Sequence, residues 1–223
     1  MNTPLARRAL LRGDVLLGVV GWLGAPICSI PESIMPEQAT PSPLASGAPA
    51  RILLAYFSRA GENYYFGGRR DLEVGNTEVL AGMIAELIDC DVHRIEAADP
   101  YPASYDQTVQ RNVTEQDTDA RPRMANPLAS IVDYDTVLLG SPIWNVRAPM
   151  IMTSFAEGHD FTAKSVLPFV TYAVSGLGSV ERDYATACRG ARIGDGLTVR
   201  GEEVTQHRAD VESWLRAAGL LTR

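Results

Sequence analysis

The chain has 223 residues, of which 46% are hydrophobic and 21% charged, so it has the size and composition of an ordinary globular protein. The net charge is −7, whereas a general nucleic-acid binder carries a positively charged surface, so we expect no nucleic-acid partner. Three cysteines and three histidines occur without a CxxC motif or a Cys/His cluster, which disfavours a zinc site and a disulfide framework.

Residues 1–50 predict an export segment. Arg7 and Arg8 precede an apolar run at 15–27 that is shorter than the roughly 20 residues needed to span a bilayer. A charged start before a short apolar core is typical of a secretion signal, and the paired arginines resemble the bacterial twin-arginine signal. Residues 31–50, rich in Pro, Ser and Ala, predict a linker.

The expected location is therefore outside the bacterial cytoplasmic membrane, in the periplasm or cell envelope, with the cytoplasm as the alternative. We expect membrane contact only through the N-terminal segment. In the alternative interpretation of that segment, the arginines and the apolar run form a membrane-surface helix or a frayed helix.

From residue 51 onward, strand patterns alternate with helix patterns. The run "RILLAYF" (51–57) has no polar alternation, which is typical of a strand buried on both faces of a parallel sheet. The segment "NTEVLAGMIAELIDC" (76–90) carries an apolar stripe at helical spacing. The other predicted elements are a weaker strand at 91–97, a helix and a long loop within 103–130, strands at 135–141, 165–173 and 191–199, and helices at 148–158, 179–188 and 202–219.

Five strands alternating with helices predict an α/β fold, in which right-handed crossovers place helices on both faces of a parallel sheet. Such sheets bind ligands beyond the carboxyl ends of their strands, at a topological switch point. The candidate site residues are therefore those that follow the strands.

The loop after the first strand, "SRAGENYYFGGRRDLEVGNTE" (58–78), predicts a phosphate site in two parts. Ser58 offers a hydroxyl, and Gly61 lets the backbone turn its amides inward. Asn76 and Thr77 open the next helix, whose free amides and positive dipole end favour an anion. Both are also ordinary helix-capping residues.

An insert at residues 62–74 separates these two parts and predicts a β-hairpin, because two extended runs flank the turn signal Gly67-Gly68. A hairpin leaves and returns at nearly the same point, so the phosphate site is retained. The candidates for a cover or docking surface beside the ligand are Tyr64, Tyr65, Arg69 and Arg70. A hairpin that contacts only solvent is the alternative.

Two further strand ends complete the predicted site. The segment "GSPIWNVRAP" places Trp144 in a loop, either as a flat wall for an aromatic ligand or folded back onto the core. The segment "TYAVSGLGSVE" supplies flexible backbone and hydroxyl donors, but it lacks the third glycine of a dinucleotide fingerprint. No P-loop motif occurs, so an ATPase is rejected. The three strand ends together suit a ligand with a phosphate at one end and a flat ring at the other.

At these residues the chain resembles a flavodoxin of the branch with a long first loop, over about residues 51–218. The resemblance is carried by "LLAYFSRAGEN", "VGNTEVLAGMIAE", "YDTVLLGSPIWN" and "VLPFVTYAVSGLGSVERD". It implies a flavodoxin-like three-layer sandwich with a five-stranded parallel sheet in the order 2-1-3-4-5, formed by a domain at 51–223. It also implies noncovalently bound FMN as the cofactor.

The resemblance further implies which residues contact FMN. Those around the phosphate would be Ser58, Arg59, Asn76 and Thr77. Those in the loop against the ring would be Pro142, Ile143, Trp144 and Asn145, with Trp144 stacked on the ring. Those at the other edge of the flavin would be Ser175, Gly176 and Gly178. No catalytic residue and no metal ligand is predicted.

The leading hypothesis for the function is an exported electron-transfer flavodoxin that serves a redox partner protein or a small-molecule acceptor. The first alternative is an FMN-dependent enzyme that reduces a quinone or another small molecule with NAD(P)H, since the insert could wall a pocket over the ring. The second is a non-catalytic envelope interaction module that has lost its flavin.

Overall fold

The computed structural model describes residues 51–222, so the predicted export segment and linker lie outside the described residues. The strands are β1 (Ile52–Tyr56), β2 (Gly61–Tyr65), β3 (Gly68–Leu72), β4 (Asp91–Arg94), β5 (Thr136–Pro142), β6 (Ser165–Tyr172), β7 (Arg192–Ile193) and β8 (Leu197–Arg200). The helices are α1 (Asn76–Ala85), α2 (Tyr105–Asp117), α3 (Met150–Glu157), α4 (Val180–Ala187) and α5 (Arg208–Ala217), with a 3-10 helix at Gly201–Gln206.

The main sheet is parallel and has the order β4-β1-β5-β6, with β7 and β8 both paired to β6. This confirms the predicted order 2-1-3-4-5, except that the fifth strand is divided into two short segments. The chain leaves the sheet at residues 194–196, where the Asp195 carbonyl accepts a hydrogen bond from Trp214 Nε1 at 2.8 Å. The sheet therefore has six strands rather than five.

Helices cover both faces of this sheet, which explains the unbroken apolar runs of its central strands. One face packs against α1 and α5 through Leu80, Ile84, Val211 and Leu215. The other face packs against α3 and α4 through Ile151, Phe155, Val180 and Tyr184. The result is the predicted three-layer sandwich. Among residues 51–222, no helix combines the length and the apolar character needed to cross a membrane.

The predicted closing helix at 202–219 is in fact a 3-10 helix followed by α5, with His207 between them. The first residue of the 3-10 helix, Gly201, packs so closely on the start of α1 that a Cβ there would lie 2.5 Å from Asn76 Nδ2. This approach brings Gly201 and Glu202 to the same edge of the sheet as the first loop.

The insert forms an antiparallel hairpin of β2 and β3, as the sequence predicts. Its turn lies at Phe66-Gly67, one residue before the predicted Gly67-Gly68, because Tyr65 pairs with Gly68. Phe66 and Gly67 have φ angles of 44° and 86°, the left-handed conformations of a type I′ turn.

Candidate cofactor site

A cavity of about 450 Å³ opens at the carboxyl ends of β1, β5 and β6. This is the edge at which a parallel sheet of this order binds its ligand. Most of the predicted site residues line the cavity, namely Ser58, Arg59, Asn76, Thr77, Pro142, Ile143, Trp144, Asn145 and Ser175. Gly176 and Gly178 are not among the lining residues.

The two parts of the first loop meet at one end of this cavity. Ser58 Oγ accepts a hydrogen bond from the backbone N–H of Glu78 at 3.1 Å, so the serine caps the first turn of α1. Within residues 51–222, the backbone amides of Asn76 and Thr77 have no acceptor. These free amides lie at the positive end of the helix dipole, which fits them to bind a phosphate.

Thr171, at the end of β6, belongs to the same region of the cavity. Its Oγ1 lies 2.7 Å from Oγ1 of Thr77, and both side chains are buried. Sequence reasoning missed Thr171 because it lies within a predicted strand rather than after it. Its place in the cavity follows from where β6 ends in the folded sheet, which the local sequence does not show.

Arg59 lines the cavity, but its guanidinium holds loops together. Nη1 donates hydrogen bonds of 3.0 Å to the carbonyls of Pro102 and Ala103, and Nη2 donates to the carbonyl of Glu62. Burial lowers the pKa of Arg59 from its usual value, although the nearby Glu62 opposes that shift. Arg59 therefore ties the first loop to the segment that precedes α2, while its positive charge stays near the predicted phosphate end.

Trp144 packs on the core and also lines the cavity, so both interpretations of its sequence position hold in part. Its ring makes edge contacts with Phe57 and Tyr101, at centroid distances of 5.7 and 5.1 Å and interplanar angles of 89° and 75°. The side chain is nevertheless only half-buried, and it lines the cavity. The core thus fixes the indole in place while part of it remains available to a flat ligand.

The loop that carries Trp144 makes a tight turn through Asn145 and Val146, whose φ angles are 50° and 61°. A positive φ is unusual for a β-branched residue such as Val146. The Val146 carbonyl accepts a hydrogen bond of 2.8 Å from the backbone N–H of Ser179, which holds the turn.

Gly178, which the resemblance implies at the edge of the flavin, packs against this turn. A Cβ at Gly178 would lie 2.0 Å from the Val146 carbonyl oxygen, and φ there is +60°. Gly176 also lies outside the cavity lining, although a Cβ there would meet no atom within 4 Å. Of the three residues named for this edge, only Ser175 lines the cavity, and residues 172–174 of the same segment line it as well.

A wall of the cavity comes from α2, which sequence reasoning did not assign to the site. The wall residues lie on one helical face at i, i+3 and i+4 spacing, and they are Tyr105, Thr108, Val109, Asn112 and Val113. Polar and apolar side chains alternate on this face, so the segment shows no apolar stripe. The only sequence signal for this wall was the i, i+3 and i+4 spacing of these residues.

The hairpin covers part of the cavity and is docked on α2. Asn63 and Tyr64 line the cavity. Glu62 Oε2 accepts a hydrogen bond of 2.9 Å from the backbone N–H of Tyr105, which satisfies a free donor at the start of α2. The Arg69 guanidinium lies 3.7 Å from the centroid of the Tyr105 ring. These contacts favour the predicted cover over a hairpin that meets only solvent.

Exposed valines surround the opening of the cavity. They come from α2 and from the loops after β5 and β6, and they are Val109, Val113, Val146 and Val174, with exposed fractions of 42, 41, 55 and 77%. An apolar rim of this kind, beside a few polar groups, is typical of a small-molecule site.

Comparison with known proteins agrees with this geometry. The flavodoxin family model matches residues 51–218, and no curated protein matches the chain significantly. A structure from Bacteroides uniformis, assigned as a flavoprotein, is 29% identical with a TM-score of 0.59, covering 75% of this chain and 98% of its own. A second structure assigned as a flavoprotein, from Bacteroides eggerthii, is 24% identical with a TM-score of 0.60, and the match covers 76% of this chain and 98% of the other. The chain belongs to the flavodoxin family.

Proposed function

We propose that this flavodoxin is an electron carrier whose redox group is FMN. One observation carries the proposal: a single cavity joins the Ser58 hydroxyl and the free amides at the start of α1 to the half-buried ring of Trp144. These groups match a ligand with a phosphate at one end and a flat ring at the other. Family membership and the resemblance to an assigned flavoprotein of Bacteroides uniformis support the same cofactor.

The residues present fit FMN at both ends. Ser58, Asn76 and Thr77 would hold the phosphate, with the charge of Arg59 nearby. The loop at 142–145 would face the isoalloxazine ring, with Trp144 stacked on it, and Ser175 would lie at the other edge. The bound flavin supplies the redox chemistry, and the protein binds it, orients it and limits its contact with water.

The visible absorption spectrum of protein purified without added flavin tests this proposal. We expect a yellow protein, or a colourless apoprotein that quenches the fluorescence of added FMN as it binds. Ser58→Ala should weaken FMN binding and leave riboflavin binding nearly unchanged, because riboflavin lacks the phosphate. A colourless protein that cannot be reconstituted with FMN would overturn the proposal and favour the interaction module.

A reductase is the second candidate, and a specific observation favours it. The hairpin and α2 wall the cavity, and the apolar rim of Val109, Val113, Val146 and Val174 would suit a small apolar acceptor such as a quinone. Stopped-flow mixing of the FMN-loaded protein with NADH or NADPH separates the two functions. Slow bleaching supports the carrier, whereas rapid bleaching with turnover on a quinone supports the reductase.

The proposed partner of the carrier is a redox protein with a basic docking surface, since the chain carries a net charge of −7. Electrostatic steering of this kind is screened by salt. The rate of electron transfer to such a partner should therefore fall as ionic strength rises. A rate that does not depend on salt would favour a small uncharged acceptor.

We also propose that the protein is exported, on the basis of its N-terminal sequence. Residues 1–50 fused to a folded reporter should direct the reporter across the cytoplasmic membrane. Replacing Arg7 and Arg8 by lysine should abolish that export. Export that survives the replacement would remove the twin-arginine assignment, and a reporter retained in the cytoplasm by the unaltered segment would favour the cytoplasmic alternative.

A further inference from the structure

We propose that Asn112 on α2 is an additional flavin-binding residue, whose side-chain amide donates a hydrogen bond to an acceptor atom of the isoalloxazine ring. This inference rests on the proposed binding of FMN. It makes α2 a ring-binding element in addition to the loops that follow the strands.

The burial of Asn112 is the first observation. The residue lines the cavity, yet only 3% of its surface is exposed. A side-chain amide carries two N–H donors and one acceptor oxygen, and buried groups of this kind almost always have hydrogen-bond partners.

The neighbouring hydrogen bonds fix which way the amide of Asn112 faces. Gln116 Nε2 donates to the carbonyl oxygen of Trp144 at 3.1 Å, and a carbonyl can only accept. The same nitrogen lies 3.3 Å from Asn112 Oδ1, and Gln116 Oε1 accepts from Asn145 Nδ2 at 2.8 Å. The oxygen of Asn112 is therefore directed at Gln116, and its Nδ2 group is left for another partner.

That partner has to come from the cavity. Within residues 51–222, Asn112 Nδ2 donates no hydrogen bond, and it is not among the side-chain atoms sealed inside the protein without a partner. Its donors therefore open on the cavity. A ligand that offers an acceptor there would take the place of water as the partner of these donors.

The position of Asn112 along α2 assigns the donor to the ring end of the cavity. Gln116, one turn further along the helix, contacts Trp144 and Asn145, which form the loop expected against the ring. Val109 and Val113 flank Asn112 on the same helical face and line the cavity with it. A single donor between apolar side chains suits the edge of a flat heteroaromatic ring, whose carbonyl oxygens and ring nitrogens accept hydrogen bonds.

Two substitutions at one position separate a donor from a structural role. Asn112→Asp retains an oxygen for Gln116 and replaces the N–H donors by an oxygen, whereas Asn112→Leu removes both functions. In a fluorescence-quenching titration we expect Asn112→Leu to bind FMN about tenfold more weakly, the effect of losing one hydrogen bond. Asn112→Asp should bind at least that much more weakly, because its second oxygen also repels the ring acceptor. Riboflavin binding should weaken by the same factor, because the contact is to the ring.

Gln110→Leu is the matched control, since Gln110 is exposed and lies on α2 outside the cavity lining. It should leave both affinities unchanged, and thermal unfolding of each apoprotein checks that the variants fold. Wild-type affinity in Asn112→Asp would overturn the donor role. Weakened FMN binding with unchanged riboflavin binding would overturn the assignment to the ring. Failure of the unaltered protein to bind FMN would overturn the proposed function as well.

Discussion

Gly75 lies where the two parts of the first loop meet, and space rather than backbone conformation requires glycine there. Its φ of −70° is accessible to any residue. A Cβ, however, would lie 2.3 Å from Ser58 Oγ and 2.5 Å from the carbonyl oxygen of Arg59. The close approach of these segments brings the Ser58 hydroxyl to the start of α1.

Gly75→Ala should therefore lower the free energy of unfolding by about 1–3 kcal/mol, the usual cost of overpacking. It should also weaken FMN binding, because it separates Ser58 from the amides of α1. Chemical denaturation and an FMN titration measure the two effects. Gly82→Ala is the control, since a Cβ in that exposed helical position meets no atom within 4 Å.

The control should be stabilising by roughly 0.5–1 kcal/mol, because alanine is favoured over glycine within a helix. Equal behaviour of the two alanine variants would show that the loop halves do not meet as described.

Trp144 gives a second prediction at the residue scale. Trp144→Ala should weaken FMN binding by about 1–3 kcal/mol if the indole stacks on the flavin, by analogy with the stacking of nucleic-acid bases on aromatic side chains. Apoprotein stability should fall too, since Phe57 and Tyr101 lose an aromatic contact. Titration of the refolded apoprotein with FMN measures the affinity.

Trp214→Phe is a suitable control, because Trp214 lies on α5 and lines no part of the cavity. Unchanged FMN affinity in Trp144→Ala would mean that Trp144 serves only the core.

Residues such as Trp144 could be predicted from the sequence, whereas Thr171 and Asn112 could not. A tryptophan directly after a strand is conspicuous in its local sequence. Thr171 reaches the site because it comes next to Thr77 in the folded sheet, 94 positions away in the chain. Asn112 is one polar residue among many in α2, and only the buried network with Gln116 and Trp144 distinguishes it.

At the scale of elements, the turn of the hairpin lies one residue before the position that the sequence predicts. The pairing of Tyr65 with Gly68 makes Phe66 and Gly67 the turn residues. Gly67 has a φ of +86°, and a Cβ there would come no closer than 4.0 Å to another atom. The need for glycine at this position is therefore conformational.

Gly67→Ala should destabilise the hairpin by about 1 kcal/mol, because alanine is strained in the left-handed region. Gly68→Ala should have little effect, since Gly68 is a strand residue and its Cβ would make only ordinary contact with the Tyr65 carbonyl, at 3.6 Å. Amide hydrogen exchange in β2 and β3 measures local opening directly. Faster exchange in Gly68→Ala than in Gly67→Ala would place the turn where the sequence predicts it.

The other elements differ in how well the sequence predicted them. The apolar runs of β1, β5 and β6 predict buried parallel strands, because helices cover both of their faces. The fifth strand and the closing helix were each predicted as one element and are each divided. A tertiary contact, the hydrogen bond from Trp214 to the Asp195 carbonyl, lies where the fifth strand is divided, and the closing helix is divided at His207.

At the scale of the whole molecule, His93 should make stability depend on pH. Burial, with a smaller contribution from nearby His159, lowers the pKa of His93 below its usual value, while Glu96 acts in the opposite direction. The ring stacks on Phe155, with centroids 6.0 Å apart. The folded protein therefore takes up a proton at His93 less readily than the unfolded chain.

The free energy of unfolding should accordingly be highest above about pH 6.5, the usual histidine pKa, and should fall as the pH decreases through that value toward the lower folded pKa. Urea denaturation at several pH values between about 7.5 and 5.5 measures this slope. His93→Gln should flatten it, because glutamine does not titrate. An equal slope in both proteins would assign the dependence to other groups.

The sequence by itself determined the parallel sheet and the region of the candidate site, and the resemblance to flavodoxins implied the strand order. Buried strands and helix starts are local patterns, and a parallel sheet collects its strand ends at one edge. Only the tertiary structure placed α2 and the hairpin against that edge, packed Gly178 against the Val146 carbonyl, and committed the Arg59 guanidinium to backbone carbonyls. These assignments depend on contacts between residues far apart in the chain, and such contacts leave no periodic or local signal.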